Sequence, residues 1–246
     1  MTLLTWNLRH DSARWARMVE EIAAHDPDVI ALTDCRADPE GELRAVFAER
    51  GWTHFASTAP DGKEKGIAAF ARTPLRALPC PAAPDHRARW LDVELPDYGF
   101  ALGVLRIMAG GSSRLHPLSL EKTRFWDGVV RAAEARLGEP WLLAGNWNTG
   151  AQQLDETGKT YVCSEHFLKL SAMGWTDLWR HHNPGTTEWT WHSTRKGGLR
   201  GNGFRLDHAF ATPSLLPRVT SCRYSHRERE ARVSSHSIVI VEIATP

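Results

Sequence analysis

Net charge is almost absent from this 246-residue chain: 30 basic residues stand against 29 acidic ones, for a formal charge of +1. No global field therefore draws it onto nucleic acid or an anionic membrane, and any anion it binds must be held locally. Cysteine is scarce too. Cys35, Cys80, Cys163 and Cys222 lie far apart with no C-x-x-C pair, which argues against a zinc site and offers no disulfide framework. Reduced thiols in a cytoplasmic protein are the expectation. No apolar run approaches a membrane span, and the residues from Met1 to Arg9 lack the basic start and apolar core of a secretory signal. No linker and no repeat at a period of 20 to 50 residues is evident. The length suits a single α/β domain over 1–246, large enough to bury about 70–75 % of its unfolded surface.

What is present is a regular succession of elements. Residues 2–8 read as a strand; Ser12 can cap a helix whose apolar positions Trp15, Met18, Val19 and Ile22 recur at helical spacing. Val29 to Leu32 is a continuous apolar run, as in a strand buried on both faces. A helix over about 40–50 follows, then strands over 52–57, 66–71, 90–95 and 100–107. Ser119 precedes a helix to Leu137, with Trp126, Val129, Val130 and Ala133 on one face. A strand at 141–144, helices at 164–173 and 177–182, and strands at 188–193, 204–211, 219–224 and 237–243 complete the reading. Strands in two batches with helices between them predict two packed sheets, each covered outside by helices.

Four short segments fall at strand ends or in the loops that follow: Thr5-Trp6-Asn7, Gly145-Asn146-Trp147-Asn148, Arg205-Leu206-Asp207-His208 and Ser234-Ser235-His236. Thr33-Asp34 closes another strand. Together with Lys65-Gly66-Ile67-Ala68, Gly174-Trp175-Thr176-Asp177-Leu178-Trp179-Arg180 and Thr190-Trp191-His192-Ser193, they resemble, in order and separation, the active-site motifs of the endonuclease/exonuclease/phosphatase family. The resemblance covers nearly the whole chain. It implies a four-layered αββα sandwich and, for ordinary members, phosphoester hydrolysis with Mg²⁺ or Mn²⁺. It implies metal contact by Asn7 and Asp34, a phosphate held by Asn148, and an Asp207 carboxylate orienting His236. An imidazole bonded to a carboxylate through one nitrogen has a fixed tautomer.

Three positions depart from the family pattern. Asn146 stands where an aspartate activates the attacking water, and an amide cannot accept that proton; losing a general base costs about 10²- to 10⁴-fold. Ser235 stands where a second aspartate adds charge beside the metal, which removes roughly 4 kcal/mol per charge pair at about 4 Å and an effective dielectric near 20. Asp34 replaces a glutamate, shorter by one methylene.

Among the tryptophans, Trp15 and Trp126 belong to apolar helix faces, while Trp147 and Trp191 are candidates for substrate contact. A run containing Arg195, Lys196, Arg200 and Arg205 with four glycines reads as a basic loop able to close over a substrate, or as a solvated charge run. His181 and His182 suit a helix C-terminus; His208 points to the face opposite Asp207, where it packs or meets solvent; His10 is near enough to Asn7 to reach the site.

The expectation is an enzyme of this fold moved to metal-independent acid/base chemistry on a small molecule, with His236, Asp207, Asn148 and Asn146 as catalytic residues. Asn7, Trp147, Arg205 and Trp191 bind substrate in this reading. No cofactor is expected, with a weak Mg²⁺ or Mn²⁺ on Asp34 and Asn7 left open; nucleic acid is allowed as a partner but not favoured, and neither a membrane nor an obligate protein partner is expected. Two alternatives stand beside it: a Mg²⁺-dependent phosphodiesterase or nuclease with a thinned metal site, and a catalytically silent binding module. Excess arginine over lysine and abundant alanine suit a high-GC bacterium, and hence bacterial secondary metabolism as a setting.

Overall fold

Apolar residues on both sides of the central strands and along one face of each long helix divide the core into three layers. The computed structural model describes residues 1–8, 15–36, 41–58, 65–82, 84–111, 113–194 and 200–246. The first sheet runs, in spatial order, β13 (Val219–Ser225), β14 (Ile238–Ile243), β1 (Thr2–Asn7), β2 (Val29–Cys35), β4 (Gly66–Ala71) and β3 (His54–Ser57). The second runs β5 (Arg76–Ala77), β6 (Trp90–Leu95), β7 (Phe100–Arg106), β8 (Trp141–Asn146), β12 (Asp207–Ala211) and β9 (Thr176–Asp177). A separate hairpin pairs β10 (Trp191–Thr194) with β11 (Arg200–Phe204).

Side chains alternate across each strand, and that alternation sorts the core. Leu3, Val29, Ala31 and Val241 of the first sheet meet Val93, Leu102, Val104 and Leu142 of the second in the central layer. Leu4, Trp6, Ile30 and Ile240 face the opposite way, onto Met18, Val19 and Ile22 of α1 (Trp15–Ala23) and Phe47 of α2 (Glu42–Glu49). Leu105, Leu143 and Phe210 face outward onto Phe125, Trp126, Val129 and Ala133 of α3 (Pro117–Ala135) and Phe167 and Leu170 of α4 (Ser164–Ala172). Two short helices, α5 (Leu178–His182) and α6 (Arg227–Glu230), complete the named elements. The result is the four-layered αββα sandwich expected from the strand pattern. Each sheet also carries one parallel pair, β1 with β2 and β7 with β8, joined by a crossover that contains α1 or α3. No helix among the described residues is long and apolar enough to cross a membrane.

The structure corrects several element readings. α3 begins at Pro117, two residues before Ser119, because proline suits the first helical position and His116 caps the turn, its Nδ1 accepting from the Leu118 amide at 3.2 Å. The expected strand over 204–211 is two strands in different sheets. Phe204 ends β11 and Asp207 begins β12, with the buried Arg205 side chain fixed at the bend between them. Arg200 lies within β11, so the expected basic loop is in part a paired strand. Arg76–Ala77 is too short to show any period. Ser12, His10, Arg195 and Lys196 lie outside the described residues.

Candidate active site

Strand direction brings the motif residues to one edge. β1 and β2 are parallel, so their C-terminal ends lie together with Asn7 opposite Thr33. β7 and β8 are parallel as well, which sets Arg106 opposite Asn146, and the antiparallel β12 places its first residue, Asp207, opposite Asn146 on the other side. β14 is antiparallel to β1, so the segment just before it, Ser234 to His236, returns to the same edge. Between them lies a cleft of about 460 Å³, and Asn7, Asp34, Asn146, Asn148, Trp191 and His236 all line it.

Asp207 sits directly behind His236, with Oδ2 at 2.9 Å from the imidazole Nδ1. Its other oxygen, Oδ1, accepts from Asn146 Nδ2 at 3.2 Å. A carboxylate is an acceptor only when ionised, so Nδ1 carries the proton of the dyad and Nε2 is left as the ring's remaining nitrogen. The 3.4 Å approach of Asn146 Nδ2 to Nδ1 is then a contact between two donors. His236 is held from its backbone too: its carbonyl accepts from Trp6 Nε1 at 3.0 Å and its amide donates to Ser234 Oγ at 3.1 Å, while that hydroxyl donates to the Asn7 carbonyl at 2.7 Å.

Asn146 is wedged by both ends of its amide. Its nitrogen serves Asp207, and its Oδ1 accepts from Asn148 Nδ2 at 2.7 Å; turning the amide over would face oxygen to carboxylate. Asn148 also donates to the Ile107 carbonyl at 2.7 Å and adopts φ 48°, a left-handed conformation that asparagine tolerates better than most residues. Gly145 just before them has φ 130°, and a Cβ there would lie 2.2 Å from the Leu105 carbonyl oxygen. Only glycine lets the two backbones approach. Gly145→Ala is therefore expected to destabilise the protein by about 2 kcal/mol or more through strain and overlap; urea unfolding with a change inside about 0.5 kcal/mol, the range of a neutral surface substitution, would contradict that account.

Asp34 occupies a bulge in β2 between Thr33 and Cys35, at φ 61°. One carboxylate oxygen accepts from Asn7 Nδ2 at 3.0 Å, and the other is bound by the Arg106 guanidinium. Burial pushes this carboxyl up, but the charges of Arg106 and then Lys65, with the Asn7 hydrogen bond, outweigh it and hold the group below its ordinary range. Ser235 Oγ is buried with no hydrogen-bond partner among the described residues.

Three cations here were not foreseen as site residues. Lys65 and Lys122 line the cleft; Lys122 is 1 % exposed, and its Nζ donates to the Asn148 carbonyl at 2.5 Å. Burial pushes the Lys122 ammonium down to about 8. A signal for it exists in the sequence, since Lys122 falls one turn before Trp126 on the apolar stripe of α3. Arg106, at the end of an otherwise apolar strand, offers only a weak one.

Two expected substrate contacts are corrected. Trp147 is wholly buried and stacks on Phe210 with ring centroids 5.0 Å apart, because the residue between Asn146 and Asn148 points into the layer beneath α3 and α4. Arg205 is 1 % exposed and tied to Asp155 and Asp177. Trp191 does reach the cleft, its ring centroid 6.4 Å from that of His236. His208 packs as expected on the face away from Asp207, with Nε2 at 2.8 Å from the Thr149 carbonyl; burial, then the charge of Arg205, pushes it down to about 4. His181 and His182 are exposed at the end of α5.

The sequence model of the Endonuclease/Exonuclease/phosphatase family matches residues 4–236. Among solved structures, the chain is similar to an Asp-to-Asn variant of the 3' phosphatase NExo from Neisseria bound to a product DNA hairpin, with TM-score 0.83, 21 % identity and 99 % of each chain covered. It is similar to the 3'-5' exonuclease NExo from Neisseria meningitidis, with TM-score 0.83, 20 % identity and 99 % and 100 % of the two chains covered. It is likewise similar to an AP endonuclease from Archaeoglobus fulgidus, with TM-score 0.84, 18 % identity and 99 % of each chain covered. At these identities the likeness is one of fold. No curated protein sequence matches.

Proposed function

Because the chain belongs to the endonuclease/exonuclease/phosphatase family, we propose that it is an enzyme of that fold whose cleft performs metal-independent acid/base chemistry on a small molecule. The observation that carries the reading is the His236–Asp207 pair at 2.9 Å, in a cleft whose one lining carboxylate among the described residues, Asp34, is already neutralised by Arg106. His236 Nε2 exchanges the proton with substrate. Asp207 keeps the other ring nitrogen protonated and stabilises the imidazolium that forms, and Asn146 holds the second Asp207 oxygen. Asn7 and Asn148 are the amides that line the cleft beside it. The substrate is uncharged or anionic, and bacterial secondary metabolism in the cytoplasm is a suitable setting.

The donor set fits a divalent ion poorly. Mg²⁺ is commonly held by one or two carboxylates with substrate oxygens. Here both oxygens of Asp34 are engaged by protein groups, and the side chains at 146 and 235 are neutral. Groups of three or more His, Cys, Asp or Glu able to hold a metal are absent among the described residues. No step of the proposed reaction uses a metal.

Turnover of whichever small molecule the protein converts in the presence of EDTA should fall about 10²-fold or more in His236→Ala and in Asp207→Asn, with the fold intact by circular dichroism. Near-normal turnover in both variants would sink the acid/base assignment. A second reading has its own support: the similar solved structures are named as a 3' phosphatase bound to a product DNA hairpin, a 3'-5' exonuclease and an AP endonuclease. If the protein instead cleaves a generic phosphodiester with Mg²⁺ and loses all activity in EDTA, a phosphodiesterase with a thinned metal site replaces the first reading.

A further inference from the structure

Lys122 is a buried ammonium without a counter-ion among the described residues. It is 1 % exposed, it lines the cleft, and its hydrogen bond goes to a neutral acceptor, the Asn148 carbonyl. A charge withdrawn from water needs compensation, and no described neighbour carries an opposite charge: the nearby Cys163 is a buried thiol bonded to Thr123. Lys65 adds a second ammonium to the same cleft. Asp34 feels the charge of Lys65, but its carboxylate is bonded to Arg106 and Asn7 rather than to either lysine, and Arg106 Nη1 is buried with no acceptor of its own among the described residues. Asp207 is committed to His236 and Asn146. Among the described residues, three cations, Lys65, Arg106 and Lys122, therefore stand against two carboxylates, Asp34 and Asp207, and the two lysines line the cleft.

We infer that Arg106 is a built-in cation that neutralises Asp34, so that Lys65 and Lys122 receive the phosphate group of a small-molecule ligand without a metal. The inference rests on the metal-independent reading above and deepens it by naming the ligand class. Lys122 Nζ still carries two protons beyond the one given to Asn148, and a phosphate oxygen takes them. The depressed proton affinity of Lys122, set by burial, is what such an unpaired site has before its ligand arrives. Removing Arg106 would return a bare carboxylate to the wall and repel the ligand.

The test is calorimetric titration of inorganic phosphate into the full chain in EDTA, with thermal unfolding measured alongside. Phosphate should bind and raise the Tm of the parent. Lys122→Met should weaken binding by about tenfold or more and remove the phosphate-dependent rise in Tm; Lys65→Met and Arg106→Met should each weaken it, and Arg106→Lys should retain most of it. If Lys122→Met does not fold, Lys65→Met and the Arg106 pair decide the matter through the same titration. Unchanged phosphate affinity in these variants, or binding that requires Mg²⁺, overturns the proposal. A DNA oligonucleotide bound about 100-fold tighter than phosphate in EDTA, a difference on the scale of several backbone contacts, overturns its small-molecule part. Phosphate binding is read without turnover, so normal activity in His236→Ala would refute the acid/base reading alone.

Discussion

Arg205→Met is expected to lower the free energy of unfolding by about 3–5 kcal/mol, the usual cost of leaving buried charge unpaired. The Arg205 guanidinium donates through Nε to Asp155 Oδ1 at 2.7 Å and through Nη1 and Nη2 to the two oxygens of Asp177 at 3.0 and 2.5 Å. Arg180 remains on Asp155 at 3.0 Å, which keeps that carboxylate from being wholly uncompensated. Tyr161 completes the unit, its hydroxyl lying 2.7 Å from the Asp155 carbonyl and 3.1 Å from that of Arg205, so this network builds the Tyr161 wall of the cleft. Burial raises the Asp155 carboxyl and Arg205 outweighs it, leaving the group below its ordinary value. A depressed carboxyl stabilises the fold above the unfolded value near 4 and loses that contribution as pH falls through the folded value. The gap between parent and variant should therefore narrow in acid. Urea unfolding at neutral and acid pH measures both effects. A change below about 1 kcal/mol, typical of an exposed ion pair, together with weakened ligand binding would return Arg205 to the substrate-binding role expected from its sequence position.

Reversing the departures from the family pattern should have an effect of similar size. The variant Arg106→Met with Asn146→Asp and Ser235→Asp is expected to bind Mg²⁺ about 10²- to 10³-fold tighter than the parent, and to cleave a generic phosphodiester. Two added carboxylates, each giving half of the roughly 4 kcal/mol that a charge pair has at about 4 Å and a dielectric near 20, account for that range. Geometry adds a reason. Asn146 Nδ2 lies 3.2 Å from Asp207 Oδ1, so a carboxylate at 146 would face another at hydrogen-bond distance, and such a pair takes up either a proton or a cation. Arg106→Met frees the Asp34 oxygen that the guanidinium holds. With the base at 146 restored, a metal-bound water can again be activated. If the parent already cleaves phosphodiesters as fast as the variant, the site is an ordinary hydrolase with a thinned metal centre.

Local order was sufficient for the layers and for the edge on which the site lies. Continuous apolar runs such as Val29 to Leu32 and Trp141 to Ala144 mark doubly covered strands, a 3.6-residue period marks α1 and α3, and motif residues at strand ends must converge once parallel pairs align those ends. The Asp207–His236 pair was legible through the resemblance of its two motifs to a family in which a carboxylate orients the histidine. Side-chain partnerships across the chain were not legible. Arg106 meets Asp34 across 72 residues and Arg205 meets Asp155 across 50, and nothing in the neighbouring sequence says which charge will be buried with which. Trp147 lies between two site asparagines yet belongs to the core, since successive residues leaving a strand turn to opposite faces and the outer layer under α4 was there to receive it. Lys122 stands on the apolar stripe of α3, but nothing near it in sequence shows that the Asn148 carbonyl meets it. Layers and site edge could be read from the chain alone, because periodicity and strand ends are local properties, and the dyad followed from the family resemblance of two motifs. That Arg106 neutralises Asp34, and that Lys65 and Lys122 share one cleft, emerged from packing alone, because the charge at a site is the sum of groups brought together from distant parts of the chain.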